Sequence, residues 1–105
     1  MGRVVIVAYK PKPDRADELK QLMQTHLPRL KQQGLVRDKE SYIMEAADGT
    51  IIEVFEWLSE EAIQNAHTNA TVQDMWREYA EVCTYATLTS LPEAANLFAG
   101  FTPLN

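Results

Sequence analysis

Residues 51–58, IIEVFEWL, restrict the fold of this chain more than any other stretch. In an extended strand Ile51, Glu53, Phe55 and Trp57 share one face, and Ile52, Val54, Glu56 and Leu58 the other. Both faces are largely apolar, which calls for a strand covered on both sides. Two carboxylates, Glu53 and Glu56, interrupt it on opposite faces. Ser59 then caps a helix that opens with Glu60 and Glu61 and runs to about Ala66, with His67 roughly three turns from the strand. A twice-covered strand, misplaced carboxylates and a nearby histidine form the pattern of a pocket wall.

The remaining chain supplies the partners of that strand. Residues 3–10, RVVIVAYK, read as a first strand with Val4, Ile6 and Ala8 on one face and Val5, Val7 and Tyr9 on the other. Pro11 and Pro13 are expected to stop it, since neither donates to a ladder. Asp14 is expected to cap a helix from about Arg15 to Gln33, ended by Gly34. Its apolar stripe is Leu19, Leu22, Met23, Leu27 and Leu30, and His26 falls inside it. Pro28 is expected to kink or divide this helix near Thr25. A second strand over about residues 39–46 meets the third through Asp48-Gly49, a strong hairpin signal. Asn69 or Thr71 caps a helix over residues 71–83 with the stripe Val72, Met75, Trp76, Tyr79, Ala80 and Cys83. Residues 85–90 read as a fourth strand, and Pro92 opens a last helical turn to about Leu97.

The order is β-α-β-β-α-β, an α+β ferredoxin-like sheet with helices on one face, in a single domain over residues 1–105. Helices cover only one face, yet the first and third strands are apolar on both. The uncovered face is therefore expected to pair with a second copy as a homodimer. The tail, with Phe98, Phe101 and Leu104, has no evident groove of its own and is expected to lie across that partner.

Charge and cysteine usage narrow the function. A formal charge of −5 lacks the basic footprint of a nucleic-acid partner. No run approaches the roughly 20 apolar residues that cross a bilayer. The single Cys83 excludes an internal disulfide and suits a reducing, cytoplasmic setting, as a buried filler.

Three stretches carry a family resemblance: PDRADEL (13–19), HLPRLKQQGLV (26–36) and EVFEWLSEEAIQNAH (53–67). Through them the chain resembles the antibiotic biosynthesis monooxygenase (ABM) family of the dimeric α+β barrel superfamily. The resemblance implies two sheets paired into a barrel and a small-molecule pocket between sheet and helices in each monomer. Members of the family include cofactor-independent oxygenases of polyphenols and quinols, haem-degrading enzymes and an isomerase. The haem-degrading branch places Asn, Trp and His where this chain has Val7, Ala66 and Trp76, so the resemblance does not extend to that activity. The polyphenol branch uses Asn, Trp and Tyr groups, and Asn65, Trp57, Trp76 and Tyr79 are of that type.

The candidate bases are His26, His67 and Glu53. Each has a plainer role beside the chemical one. His26 suits a core histidine bonded to backbone, and His67 a side chain that satisfies the last helical carbonyls. Trp76 and Tyr79 suit a helix core. Of the carboxylates, one fits an ion pair to Arg3 or Lys39 and the other a buried site beneath the helices; the Trp57 face favours Glu53 for the latter. Two histidines, without HxH or HxxxH spacing, are too few for a zinc site with three protein ligands unless carboxylates join them. Two functions are expected from this pattern. One is a cofactor-free oxygenase or isomerase of a small enolisable substrate, and the other a dimeric small-molecule-binding protein without turnover.

Overall fold

The computed structural model describes residues 2–105. Its sheet has five antiparallel strands: β1 (Arg3–Pro11), β2 (Tyr42–Glu45), β3 (Ile51–Trp57), β4 (Cys83–Ala86) and β5 (Thr102–Pro103), in the order β4-β1-β3-β2-β5. The first four strands keep the ferredoxin-like order, and β5 extends the β2 edge. Three helices, α1 (Ala16–Gln32), α2 (Glu60–Ala66) and α3 (Ala70–Val82), complete the α+β architecture.

The register explains how both sheet faces become apolar. On the helix side Tyr9 lies opposite Ile51, Val7 opposite Glu53, and Val5 opposite Phe55. Leu19, Met23, Leu27 and Leu30 of α1 and Val72, Met75 and Tyr79 of α3 close over this row as the main core. On the far face Ala8, Ile52, Met44 and Pro103 form one line across four strands. Leu91 and Phe101 cover that line together with Ala46. The next line, Ile6–Val54–Tyr42, stays open, with Ile6 52% and Tyr42 70% exposed.

Local chemistry sets the boundaries, and several differ from expectation. β1 includes Pro11, which stands at the strand end opposite Cys83, where its missing N–H costs little. Asp14 is not the cap of α1. It sits at φ 63° in a turn closed by the Arg15 N–H on the Lys12 carbonyl, and the helix begins at Ala16. Short polar Asp is among the residues that tolerate this region. Gly34, at φ 68°, ends α1 in a Schellman arrangement: the Leu35 N–H reaches the Leu30 carbonyl and the Gly34 N–H that of Lys31.

Pro28 does not divide α1, which runs unbroken from Ala16 to Gln32. The ring lies on the exposed side while Leu27 and Leu30 are held in the core, so packing overrides the lost bond. β2 is shorter than expected because residues 38–41 turn away after Arg37 bonds the Glu56 carbonyl; pairing resumes only at Tyr42. β4 lies earlier than expected, at Cys83–Ala86, and Leu88–Ser90 is a 3-10 turn. There the Ser90 hydroxyl and N–H both bond the Thr87 carbonyl, the local competition that draws Ser and Thr out of ladders. The turn from Pro92 is likewise a 3-10 segment and stops at Ala95. In α3 Ala80 faces solvent and Val82 takes its place in the core.

The tail also departs from expectation, since residues 101–105 dock on their own sheet. The Leu104 N–H bonds the Ile43 carbonyl at 2.8 Å, and Asn105 Oδ1 accepts from the Ile43 N–H at 3.1 Å. Of the three tail anchors Phe101 is partly covered against Leu91, while Phe98 and Leu104 stay exposed, at 88% and 38%.

Because Pro28 is exposed and its helix unbroken, Pro28→Ala restores a backbone donor without opening the core. The substitution is expected to raise stability by roughly 1–3 kcal/mol, read as a higher urea midpoint at unchanged slope.

Candidate functional site

β1 and β3 place their helix-facing side chains beneath α1 and α3, and a cavity of about 350 Å3 remains between the layers. Val5, Val7, Tyr9, Phe55, Trp57 and Tyr85 line it from the sheet, His26 from α1 and Trp76 from α3. Its walls are aromatic and aliphatic, and the polar groups gather at one end.

That end is built on Glu53, which is fully buried at 0% exposure. The Tyr9 hydroxyl donates to Glu53 Oε1 at 3.1 Å. His26 Nδ1 lies 2.8 Å from the same oxygen, close but without well-aligned hydrogen-bond geometry. Glu53 Oε2 has no hydrogen-bond partner among the described residues. Edge contacts with Phe55 and Tyr79, each 5.4 Å between centroids, hold the imidazole in place. With Nδ1 turned to the carboxylate, Nε2 is the nitrogen left for the cavity that His26 lines. With a proton on Nδ1, Nε2 would carry the lone pair on the cavity side.

Burial first, and then the Glu53 charge, raises the Tyr9 phenol well above the ordinary tyrosine range. Tyr79 is raised by the same two causes in the same order, and its hydroxyl donates to the Leu22 carbonyl at 2.8 Å. Both rings therefore remain neutral donors, Tyr9 to the buried carboxylate and Tyr79 to the helix backbone.

Of the residues singled out in the sequence, His26, Glu53, Trp57 and Trp76 come together here. Tyr79 packs behind His26 as a supporting wall, not as part of the cavity lining. Two candidates do not join the site. His67 is exposed beyond Trp76, and its Nδ1–H donates to the Ile63 carbonyl at 2.8 Å, the helix-end role. Asn65 is exposed on α2, away from the cavity. Glu56 is the structural carboxylate, paired with Lys39 at 3.1 Å and Arg37 at 3.4 Å, while Arg3 pairs instead with Glu60. Hydrogen bonding to Lys39 holds the Glu56 carboxyl below its usual range.

Tyr9, Tyr85, Phe55, Val5 and Val7 were not among the sequence candidates. Alternation already put Val5, Val7 and Tyr9 on one face, and only the β1–β3 register brings them to Glu53. Among the described residues, no group of three or more His, Cys, Asp or Glu side chains is placed to hold a metal ion. Among the described residues no helix is long and apolar enough to cross a membrane.

Tyr9 and Tyr79 give the fold a pH dependence of known sign. An unfolded tyrosine ionises near about pH 10, whereas these two keep their protons in the folded chain. Unfolding above that pH therefore releases protons, and stability falls as pH rises through that range, with no contribution below it. The urea midpoint is expected to drop between pH 8 and pH 11, phenolate absorbance from these rings should appear only with unfolding, and Tyr9→Phe should flatten the drop.

No family model and no curated protein matches the chain. Among solved structures it is similar to Rv0793 from Mycobacterium tuberculosis, at 19% identity and a TM-score of 0.65, over 82% of this chain and 89% of that one. At that identity the likeness establishes the fold, an α+β sheet of ferredoxin-like order.

Proposed function

We propose that this protein is a cofactor-independent monooxygenase, or an isomerase, of a small aromatic or enolisable substrate held between sheet and helices. The observation that supports this reading is the His26–Glu53 pair at the polar end of an otherwise apolar cavity. A volume of about 350 Å3 lies at the low end of ligand sites and suits a planar molecule of one to three rings. Phe55, Trp57 and Trp76 offer flat walls to such a molecule, and His26 Nε2 offers a base.

The chemistry follows from that placement. Nε2 removes an acidic proton, and the Glu53 carboxylate stabilises the imidazolium. A positioned base of this kind contributes on the order of 10² to 10⁴ in rate. The substrate anion spreads its charge over its ring against largely apolar walls. Such an anion passes an electron to oxygen, and recombination gives a hydroperoxide. Loss of water leaves a carbonyl, so that a ring methylene and dioxygen become a ring carbonyl and water, with the substrate supplying all the electrons. Reprotonation of the same anion at another carbon gives the isomerase outcome. The ABM resemblance supports the choice of reaction.

Oxygen uptake with a panel of hydroquinones, naphthols and anthrones is the direct assay. His26→Gln should lower kcat by about 10² or more with a smaller effect on KM, and Glu53→Gln should lower it less. Absence of uptake and of isomerisation across the panel would leave the alternative of a binding protein without turnover. That alternative draws support from the same aromatic-lined cavity.

We propose further that the protein is a homodimer joined through the open sheet face. Val4, Ile6 and Tyr42 are 62%, 52% and 70% exposed on that face, and Leu97 and Phe98 stand out beside the tail at 93% and 88%. Burying several hundred Å2 of such surface is worth on the order of 10 kcal/mol before association costs. Sedimentation is expected to give about twice 11.9 kDa, and Ile6→Lys to give the monomer with the same circular dichroism. A buried free thiol at Cys83 fits a reducing, cytoplasmic setting for this dimer.

A further inference from the structure

We infer that the cavity selects its ligand by charge, accepting an uncharged planar proton donor and rejecting an anion of the same shape. This rests on the reading of His26 as the group that meets the substrate. The charge inventory carries it. Among the described residues lining the cavity there is no Lys or Arg, and the one side chain there able to become cationic is His26. Behind it stands a carboxylate at 0% exposure, 2.8 Å from Nδ1, with Oε2 lacking any partner among the described residues. Arg29, whose charge is felt at Tyr79, is already engaged by Glu78 at 2.7 Å.

An anionic ligand would bring a second carboxylate to this end of the cavity. One imidazolium cannot neutralise two carboxylates, and water cannot reach Glu53 to screen them. An uncharged phenol or enol has the opposite balance. Its O–H donates to Nε2, and any charge formed on proton transfer arises together with the imidazolium that compensates it. Tyr9 lines the cavity too, but its hydroxyl donates to Oε1 and so points at the carboxylate. The site is thus matched to weak acids that arrive neutral. Substrates whose recognition depends on a carboxylate or phosphate are excluded.

The test uses three probes of one shape: 2-naphthol, 2-naphthoate and 2-naphthamide. Binding to the unaltered protein at neutral pH is measured by calorimetry, with the His26 ring protons followed by NMR to place the ligand. Naphthol is expected to bind and shift the His26 signals. Naphthoate is expected to bind at least about tenfold more weakly, and the uncharged amide to recover most of the difference. Glu53→Gln should narrow the gap between naphthol and naphthoate to about threefold or less. Since this substitution touches a buried residue, its fold is checked by circular dichroism, and the three-probe comparison stands without it. Naphthoate binding as tightly as naphthol would overturn the inference, and so would three probes that leave His26 unmoved. A naphthol that binds at His26 and outcompetes naphthoate, with no turnover across the hydroquinone, naphthol and anthrone panel, would leave charge selection intact and end the oxygenase reading alone.

Discussion

Everything at the centre of this molecule depends on how a single carboxylate is kept in the interior. Glu53 occupies the middle of the middle strand, opposite Val7 on one side and Ile43 on the other, with no exposure to solvent. Removing such a group from water costs several kcal/mol, which a Leu at this position would avoid. The Tyr9 hydroxyl and the His26 imidazole offset that cost from two different elements, β1 and α1. The carboxylate thereby ties sheet to helix at the point where the cavity begins. The neighbouring core could have been continuous hydrocarbon; instead it contains a polar end and a space beside it.

The second carboxylate of the same strand shows what the first would be on the opposite face. Glu56 meets Arg37 and Lys39 at the margin of the sheet, where partial exposure makes the pairing cheap. Two Glu residues three positions apart thus perform different work, because a strand turns its side chains alternately and the helices lie on one side only. The far face has its own division. Leu91 and Phe101 close the line through Ala8 and Ile52, and the line through Ile6 and Val54 is left bare.

The fold is legible in the sequence because hydrophobic alternation and turn chemistry agree along most of the chain. The hairpin through Asp48-Gly49, the Ser59 and Asn69 caps and the α1 stripe are all short-range signals, and each survives in the structure. What sequence cannot supply is register. Alternation separates Glu53 from Glu56 without saying which of them the helices cover. Tyr9 meets Glu53 only because β1 pairs with β3 so that the two stand diagonally across the ladder. His67 is as good a candidate as His26 in sequence, but a helix end offers its own carbonyls and His67 bonds the Ile63 carbonyl of α2. The tail departs from its expected place for a similar reason: its partner, the backbone of Ile43, lies more than sixty residues away.

That short C-terminal strand has an effect on the protein's neighbours in a crowded solution. Without β5, the outer backbone groups of β2 would present a bare sheet edge, the kind of surface onto which another chain adds by strand pairing. Thr102 and Pro103 occupy it, and Asn105 reaches past them to satisfy the Ser41 carbonyl at 2.6 Å and the Ile43 N–H. The strand that now lies outermost is only two residues long, and one of the two is a proline without an N–H to offer. The chain terminates its own sheet there with a strand too short and too poor in donors to be copied. Growth by edge-to-edge addition on that side is blocked by the same five residues that cover part of the far face.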